Sequence, residues 1–485
     1  MSMKQHILPG ALACAALSLL SVDALAGDGK IAIKAGRVIT MNGAEIKDGV
    51  IVIEDGRIKE VAAGAATRWD SELLDHPELT AFPGFVEAHT NRGMDRPNEN
   101  IEVAPFLDVR DSIDPINFYF EDSLRQGIVA LNIQQGPMCV VGAQGRVVRP
   151  FGMTVEDMTI KPDAGLKIVA GSRMGRSRAT QAMMLRKSFA DVERYLAKLM
   201  QDEKDGKDAA KREALFQGRD PEKPENKEGR AMEGVAKWKL SGFEIVGRGL
   251  VDKKQEPMLR LVEGKLMAFV QCDGAASVHL ALEVARHNGF LANTVLVLDG
   301  DSFKAVDAIA EAGVPVVLGP NMVWTERDPL NGKENETFIP SVFAGKKVRF
   351  ALQSLNSTSQ SLWFQAATCV SYGLDRETAM ASVTSTAADI LRLGKRVGRL
   401  APGFDGNVVL ASGDPLSATA RVEYVVLDGE VVYDRSKDPR AKQLLEGVEQ
   451  LGAAQQGLPD EEVDPHSGQK KPAKNDKGDK TEKKD

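Results

Sequence analysis

The chain has 485 residues, of which 43% are hydrophobic and 27% are charged, and its net charge is -7. This length exceeds that of one ordinary domain, and the composition is that of a folded globular enzyme rather than a disordered or membrane protein. The negative charge and the low aromatic content of 5% argue against nucleic acid as a partner.

The N-terminus has the pattern of an export signal. Lys4 precedes an apolar stretch at residues 7–22, which is too short to span a membrane comfortably. Ala24-Leu25-Ala26 then matches the small-residue pattern of a cleavage site. We therefore expect residues 1–26 to be removed, leaving a periplasmic or secreted protein with no membrane span.

Three cysteines, Cys139, Cys272 and Cys369, remain after this cleavage. An odd number of cysteines cannot pair completely in an oxidising compartment, and the chain has no C-x-x-C motif. Free cysteines are among the most buried residues in proteins. We expect at least one of the three to be a buried free thiol.

Both ends of the mature chain are rich in strand signals. Residues 31–61 alternate short apolar runs with turns, and Asp55-Gly56 between two such runs is a strong hairpin signal. A second hairpin signal is Asp428-Gly429, within a similar region near the other end. Because unpaired strands would leave open sheet edges, we expect residues 27–80 and 396–440 to form one small β-sandwich.

The middle of the chain, residues 81–395, alternates apolar strand-like runs with helical stretches. The strand candidates are residues 81–89, 127–133, 145–151, 165–171, 265–272, 293–300, 313–319 and 347–355. Residues 277–288 and 303–312 have apolar residues at the spacing of a helix. Eight strands alternating with helices imply parallel βα units, which close most simply into a barrel.

Two charged segments depart from this alternation. Residues 191–226 are dense in Lys, Glu and Asp, which predicts a solvated helix followed by a loop. Residues 441–485 form a charged tail that we expect to be helical at first and disordered from residue 457, because large apolar side chains are nearly absent there.

The run Phe82-Pro-Gly-Phe-Val-Glu-Ala-His-Thr-Asn91 resembles the signature that ends the first barrel strand in the amidohydrolase superfamily. Further stretches resemble that superfamily, in order, at residues 142–145, 154–158, 312–317, 385–390, 397–403 and 413–415. The similarity covers nearly all of residues 30–435 and is greatest to the imidazolonepropionase-like bacterial branch. It implies an α/β fold, a (β/α)8 TIM barrel with a small β-sandwich, and a hydrolase of carbon–nitrogen bonds other than peptide bonds.

The resemblance also implies one or two divalent metal ions, zinc above all, at the C-terminal end of the barrel. The family's ligands are an HxH pair on strand 1, Lys or Glu on strand 4, His after strands 5 and 6, and an Asp after strand 8 that also serves as general base. This chain keeps His89 but has Asn91 as the second residue of the pair. The resemblance aligns Gln271 with the strand-5 histidine, Asp299 with the end of strand 6, and Asn356 with the strand-8 aspartate. The ligand set is therefore degenerate, so a zinc cofactor is doubtful, and Asp299 and Asn356 are the catalytic candidates.

Another set of side chains offers an alternative metal site. Strand alternation allows Gln271 and Asp273 to share one face, so His89, Asp273 and Asp299 form the best replacement ligand set. Strand 4 ends without a Lys or Glu, and Lys167 lies earlier, inside that strand. Polar residues at the ends of barrel strands are also common in the absence of a metal.

Arginines cluster near the ends of the predicted strands. They are Arg92 and Arg96 after strand 1, Arg146 and Arg149 on strand 3, and Arg173, Arg176 and Arg178 after strand 4. Because guanidinium groups bind carboxylates and phosphates with two hydrogen bonds, we take Arg173 and Arg176, with Asn91 and Gln271, as substrate-binding candidates. The alternative is that these are ordinary solvated loop arginines.

Two functional hypotheses follow. The first is a hydrolase of carbon–nitrogen bonds that works with fewer or unusual metal ligands. The second, which the residue chemistry favours, is a catalytically inactive barrel that binds a small, anionic ligand or pairs with an active relative. Self-association into a homo-oligomer is also expected from the family.

Overall fold

The computed structural model describes residues 30–65, 71–173, 175–218, 238, 248–354 and 361–444. The predicted export signal and Asn356 lie outside the described residues, as does the tail beyond residue 444. Residues up to Asp434 belong to one compact unit, and the second unit is described only at residues 435–444, which begin with the 3-10 helix Arg435–Lys437. Within the described ranges, no helix is long and apolar enough to cross a membrane.

The strands and helices of the first unit are numbered in chain order. The strands are β1 Lys30–Val38, β2 Ile46–Glu54, β3 Arg57–Ala63, β4 Glu72–Phe82, β5 Phe85–Thr90, β6 Ile128–Ile133, β7 Val141–Val148, β8 Thr159–Val169, β9 Ala268–Cys272, β10 Thr294–Leu298, β11 Val316–Leu318, β12 Val323–Arg327, β13 Glu334–Phe338, β14 Phe350–Leu352, β15 Val408–Ala411, β16 Val422–Leu427 and β17 Glu430–Asp434. The α-helices are α1 Phe118–Arg125, α2 Val155–Met158, α3 Arg178–Phe216, α4 Glu256–Val262, α5 Ala275–Asn288, α6 Val306–Ala312, α7 Ile339–Gly345, α8 Leu362–Ser371, α9 Arg376–Ser382 and α10 Ser385–Ile390. Short 3-10 helices are Val109–Asp111, Arg248–Leu250, Leu291–Asn293 and Gly300–Ala305.

The two strand-rich ends of the chain pair with each other, as the sequence predicted. They form one seven-stranded sheet in the order β17-β16-β15-β4-β1-β2-β3, in which β15 runs antiparallel to β4. Asp55-Gly56 joins β2 to β3, and Asp428-Gly429 joins β16 to β17. All four turn residues have positive φ, as a two-residue hairpin turn of this type requires. Both predicted hairpins are therefore confirmed.

A second sheet of eight strands forms a nearly closed barrel in the order β5-β6-β7-β8-β9-β10-β11-β14. Each of the eight strand candidates overlaps one of these strands. The expectation of eight parallel strands is wrong for β7, which runs antiparallel to both β6 and β8. The chain passes from Ile133 to Val141 by a connection too short for the crossover that parallel strands need. The structure is thus a mixed barrel rather than a uniform set of βα units.

The interior of the barrel is an apolar cluster with contributions from all eight of its strands. The cluster includes Val86, Ala88, Ala130, Val147, Phe269, Val295, Val297, Val317 and Ala351, together with Ala387 and Ala388 of α10. The edge strands β5 and β14 are joined by a side chain, since Glu87 accepts hydrogen bonds from the backbone of Ser354 at 3.1 and 3.2 Å. The polar groups described below lie among the strands of this packed core.

The charged segment from residue 191 lies, as predicted, on a solvated helix as far as Phe216, and residues 219–226 lie outside the described residues. The helix α3 is longer than expected and starts already at Arg178, where the Ser177 side chain caps it. It buries Leu185, Phe189 and Leu196 on one face and is exposed over most of its second half. The three cysteines of the mature chain are free and buried, which confirms the expectation of a free thiol.

The Pro-Gly step of the signature lies where the terminal sheet passes into the barrel. Gly84 separates β4 from β5 and has a φ of +74°. A Cβ atom at this position would lie 2.3 Å from Cγ1 of Val129 and 3.1 Å from Cγ2 of Val409. Only glycine combines this backbone conformation with such a close approach.

Candidate functional site at the barrel mouth

The one family ligand that the chain keeps, His89, lies buried on β5 with both ring nitrogens engaged. Its Nδ1 is 2.7 Å from Oε1 of Gln353, just after β14. Its Nε2 is 3.0 Å from the amine of Lys167 on β8. The same amine donates to Oε1 of Gln271 on β9 at 2.8 Å. Four strands of the barrel are thus connected by a chain of side-chain hydrogen bonds, here called the His89 cluster: Gln353, His89, Lys167 and Gln271.

The partners of His89 fix the roles of its two nitrogens. Because an amide oxygen can only accept, Nδ1 donates to Gln353 and Nε2 accepts from Lys167. Burial, followed by the nearby charge of Lys167, holds the pKa of His89 well below its usual value, so the ring is neutral. Burial likewise lowers the pKa of Lys167 to about 7. The Nε2 lone pair with which His89 would bind a metal therefore accepts a hydrogen bond from the amine of Lys167.

A buried carboxylate lies on the same strand. Glu87 is fully buried and accepts a hydrogen bond from the Ser354 hydroxyl at 2.5 Å in addition to those from the Ser354 backbone. Burial raises the pKa of Glu87 to about 7, although the bonds from Ser354 oppose that shift. The hydrogen bonds between Glu87 and Ser354 therefore connect β5 with the end of β14, the two edge strands of the barrel sheet.

The end of the barrel at which the seven parallel strands terminate is here called the mouth. It includes residues 90–92, 170–173, 273, 299, 319–321 and 353–354. Asp273 follows β9 and accepts from the Ser172 hydroxyl at 2.9 Å. Asp299 follows β10, is exposed, and accepts from the backbone of Gly300 at 2.8 Å.

The replacement metal set of His89, Asp273 and Asp299 is not assembled in the structure. Asp273 and Asp299 have the separate partners just described, and those of His89 are Gln353 and Lys167. Throughout the described ranges there is no group of three or more His, Cys, Asp or Glu side chains that could hold a metal ion. The metal-binding role of these three residues stays a prediction.

Of the two predicted substrate-binding arginines, Arg173 lies at the mouth, and Arg176 is joined to it by an isolated backbone bridge. Arg173 follows β8, donates to the carbonyl of Pro137 at 2.8 Å and to that of Ser172 at 3.1 Å. Its Nη2 is buried and has no hydrogen-bond partner among the described residues. Arg176 lies beside Arg173, and its buried Nη1 has no hydrogen bond within that part of the chain but is 3.5 Å from a carboxylate oxygen of Glu102. The buried Nη2 of Arg173 is therefore a donor for which the described residues supply no acceptor.

Three of the other arginines, Arg92, Arg146 and Arg149, have structural partners. Arg149 lies at the opposite end of the barrel, because β7 runs in reverse, and there it pairs with Asp428. Arg146 on β7 pairs with Asp108 at 3.0 Å. Arg92 lies over the ring of Tyr119, with its guanidinium carbon 4.5 Å from the ring centre. Arg149 is thus placed away from the mouth by the reversed direction of β7, whereas Arg146 is in register with Ile133 at the end of β6.

The remaining site candidates are placed as follows. Asn91 is partly buried directly after β5, and Gln271 is partly buried at the end of β9, bonded to Lys167. Asn356 lies outside the described residues. Sequence reasoning missed the part played by Lys167 and did not identify Gln353. A lysine in an otherwise apolar strand, on the same face as Gly165 and Val169, was the available signal.

Known proteins similar to this chain are amidohydrolases. Residues 369–433 match the model of the family described as "Amidohydrolase family". The chain is 25% identical to a solved amidohydrolase from Thermotoga maritima MSB8, with a TM-score of 0.66, and the match covers 84% of this chain and 100% of that one.

Two curated proteins match over a shorter region. One is the amidohydrolase tasK of Hapsidospora irregularis, 38% identical over 76 residues. The other is the 5-methylthioadenosine/S-adenosylhomocysteine deaminase of Moorella thermoacetica, 38% identical over 69 residues. These matches cover 16% and 14% of this chain, and they span only 8% and 16% of the respective relatives.

Proposed function

The chain belongs to the amidohydrolase superfamily, and we propose that its barrel binds a small anionic molecule at the mouth without the metal centre on which the family's hydrolysis depends. The similarity to an amidohydrolase and a deaminase indicates hydrolysis of carbon–nitrogen bonds as the general chemistry of the group. One observation carries the proposal: the amine of Lys167 lies 3.0 Å from Nε2 of His89.

The side chains around His89 do not fit a zinc ion. Zinc in proteins is bound by thiolate, imidazole and carboxylate groups. The His89 cluster offers one imidazole, whose two nitrogens are engaged, two amides and one amine. The carboxylate of Glu87 has its own bonds to Ser354. No step of a reaction through a metal is derived for this site.

Arg173 supports binding of an anion at the mouth. Its buried Nη2 has no hydrogen bond inside the described ranges, and Arg176 beside it adds a second positive charge that Glu102 partly balances. A buried polar group without a partner costs free energy, and a bound carboxylate or phosphate would supply the missing acceptor. If residues 1–26 act as an export signal, this binding takes place in the periplasm or outside the cell.

Hydrolysis of a carbon–nitrogen bond is the second candidate. It is favoured by the family assignment and by Asp273 and Asp299, two carboxylates at the ends of adjacent strands. Asp299 is exposed and could accept a proton from water. If this candidate is correct, the wild-type protein releases an amine or ammonia from amide substrates. The Asp299→Asn variant should then release neither.

Calorimetric titration of the mature protein with 4-methylpentanoate and with inorganic phosphate tests the proposal. We expect at least one of them to bind, and we expect the affinity to fall about tenfold or more in Arg173→Met, because a charged hydrogen bond is removed. The matched control is Arg286→Met on the exposed face of α5, which should bind as the wild type does. Absence of binding by both probes, or equal binding by Arg173→Met, would overturn the proposal.

A further inference from the structure

A small cavity opens at the mouth beside the ends of β10 and β11. It contains about 310 Å³ of empty space, counting the part open to solvent. Its apolar walls include Phe303, Met322, Ile339 and Phe343, whereas its polar lining includes Asp299 and Asn321. Because this figure includes open solvent, the cavity is an apolar recess in the surface of the mouth rather than an enclosed ligand pocket.

Among the described residues that line this cavity, Asp299 is the only one with a charged side chain. One of its oxygens accepts from the Gly300 backbone, and no hydrogen bond to the other is found among the described residues. An exposed carboxylate at the edge of an apolar cavity favours a ligand that carries a positive charge next to an apolar group.

Arg173 and Asp299 lie at the ends of β8 and β10, which are separated in the sheet only by β9. The intervening turns are in direct contact. The Ser172 hydroxyl donates to Asp273, and the backbone of Asp299 donates to the carbonyl of Cys272 at 3.0 Å. Since adjacent strands are about 4.8 Å apart, the ends of β8 and β10 are about 10 Å apart, a distance that a small molecule with two charged ends can span.

The electrostatics of Arg173 agree with this arrangement. Burial lowers the pKa of Arg173, and the negative charges of Asp273 and Asp299 act against that shift. Neither carboxylate has an ion pair with Arg173 within the described ranges. The guanidinium and the Asp299 carboxylate therefore influence each other without neutralising each other directly.

We propose that the mouth binds a zwitterion of the amino-acid type, with its carboxylate on Arg173, its ammonium on Asp299, and its apolar side chain against the walls of the cavity. This inference rests on the proposed function and adds the chemical class of the ligand. It takes the buried Nη2 of Arg173 as the anchor for one end of the ligand and the Asp299 carboxylate as the anchor for the other.

Three compounds with the same branched carbon skeleton test this inference: leucine, 4-methylpentanoate, which lacks the ammonium, and 3-methylbutylamine, which lacks the carboxylate. We expect the mature protein to bind leucine about tenfold or more tightly than either analogue, because each charged contact contributes independently. In Asp299→Asn, leucine should lose its advantage over 4-methylpentanoate. The control Asp307→Asn, on the exposed surface of α6, should retain it.

The outcomes separate this inference from the proposed function. If 4-methylpentanoate binds as tightly as leucine, or Asp299→Asn still prefers leucine, the zwitterion is excluded while anion binding stands. If inorganic phosphate binds but leucine and 4-methylpentanoate do not, the zwitterion is likewise excluded while anion binding stands. If none of the carboxylates and no phosphate binds, the proposed function fails and the inference with it. Circular dichroism of each variant verifies that it is folded.

Discussion

The side-chain amine of Lys167 on β8 lies 3.0 Å from Nε2 of His89 on β5. These residues are 78 positions apart in the chain, and each lies in a strand of the same barrel. The contact uses the nitrogen lone pair that a metal would otherwise need. Stability and ligand binding at the mouth therefore depend on side-chain hydrogen bonds, and the following predictions test that dependence.

Replacement of Lys167 by methionine should destabilise the protein. The change leaves Nε2 of His89 buried without a donor, which costs about 1–3 kcal/mol. Urea unfolding followed by circular dichroism measures the loss. The control Lys198→Met, at an exposed position of α3, should change the free energy of unfolding by less than about 0.5 kcal/mol. Equal stability of the two variants would show that the Lys167–His89 bond contributes nothing.

The buried carboxyl of Glu87 should make stability depend on pH. Its pKa rises from 4.5 to about 7 in the folded chain, so between these values the unfolded chain has released the proton that the folded chain keeps. The free energy of unfolding therefore falls as pH rises through this window, by up to about 3 kcal/mol, and this contribution levels off above it.

Urea unfolding across this pH range, for the wild type and for Glu87→Gln, measures that contribution. The variant cannot ionise at this position, so its stability should decline less with rising pH than that of the wild type. Glu311→Gln, an exposed substitution on α6, should retain the wild-type slope. Identical slopes for wild type and Glu87→Gln would contradict the assignment.

Gly84→Ala should be strongly destabilising. The added Cβ would lie 2.3 Å from Cγ1 of Val129, on a backbone with a φ of +74°. Strain and overpacking together should cost about 2–4 kcal/mol. Gly206→Ala is the matched control, because that glycine lies in α3 with no atom within 4 Å of the new Cβ, and the change should stabilise by up to about 1 kcal/mol. Thermal unfolding shows whether the melting temperature of each variant lies below or above that of the wild type.

The buried Asp405 should be important for joining the two ends of the chain. Its side chain is 2% exposed and pairs with Arg57 of β3 and, at 2.8 Å, with Arg396. Asp405→Asn should lower the free energy of unfolding by about 1–3 kcal/mol. This loss is smaller than that expected on breaking a fully buried ion pair, because both arginines are partly exposed. Urea unfolding measures the loss, with Asp307→Asn as the exposed control. A loss no larger than that of the control would mean that this pair does not stabilise the terminal sheet.

Much of the fold could be predicted from local sequence. The eight apolar runs and the hairpins at Asp55-Gly56 and Asp428-Gly429 each depend on residues close together in the chain. The direction of β7 could not be obtained in this way, because an apolar run has the same pattern in either direction. Only the shortness of the connection from Ile133 to Val141 indicates reversal.

The site was less predictable because its contacts are distant in sequence. His89 stands out through the signature, but its partner Gln353 is 264 residues away, and Ser354 is 267 residues from Glu87. Lys167 lies inside its strand, as the sequence indicated, yet a long side chain takes its amine to Gln271 and His89. A count of residues at strand ends overlooks such a side chain.

The metal content of the purified mature protein tests the central claim most directly. Elemental analysis by plasma mass spectrometry, after exposure to excess zinc and removal of the unbound ion, should find far less than one equivalent of metal per chain. His89→Ala should give the same low value. One or more equivalents of zinc in the wild type, lost in a folded His89→Ala variant, would contradict the account of a barrel in which Lys167 occupies the metal-binding nitrogen of His89.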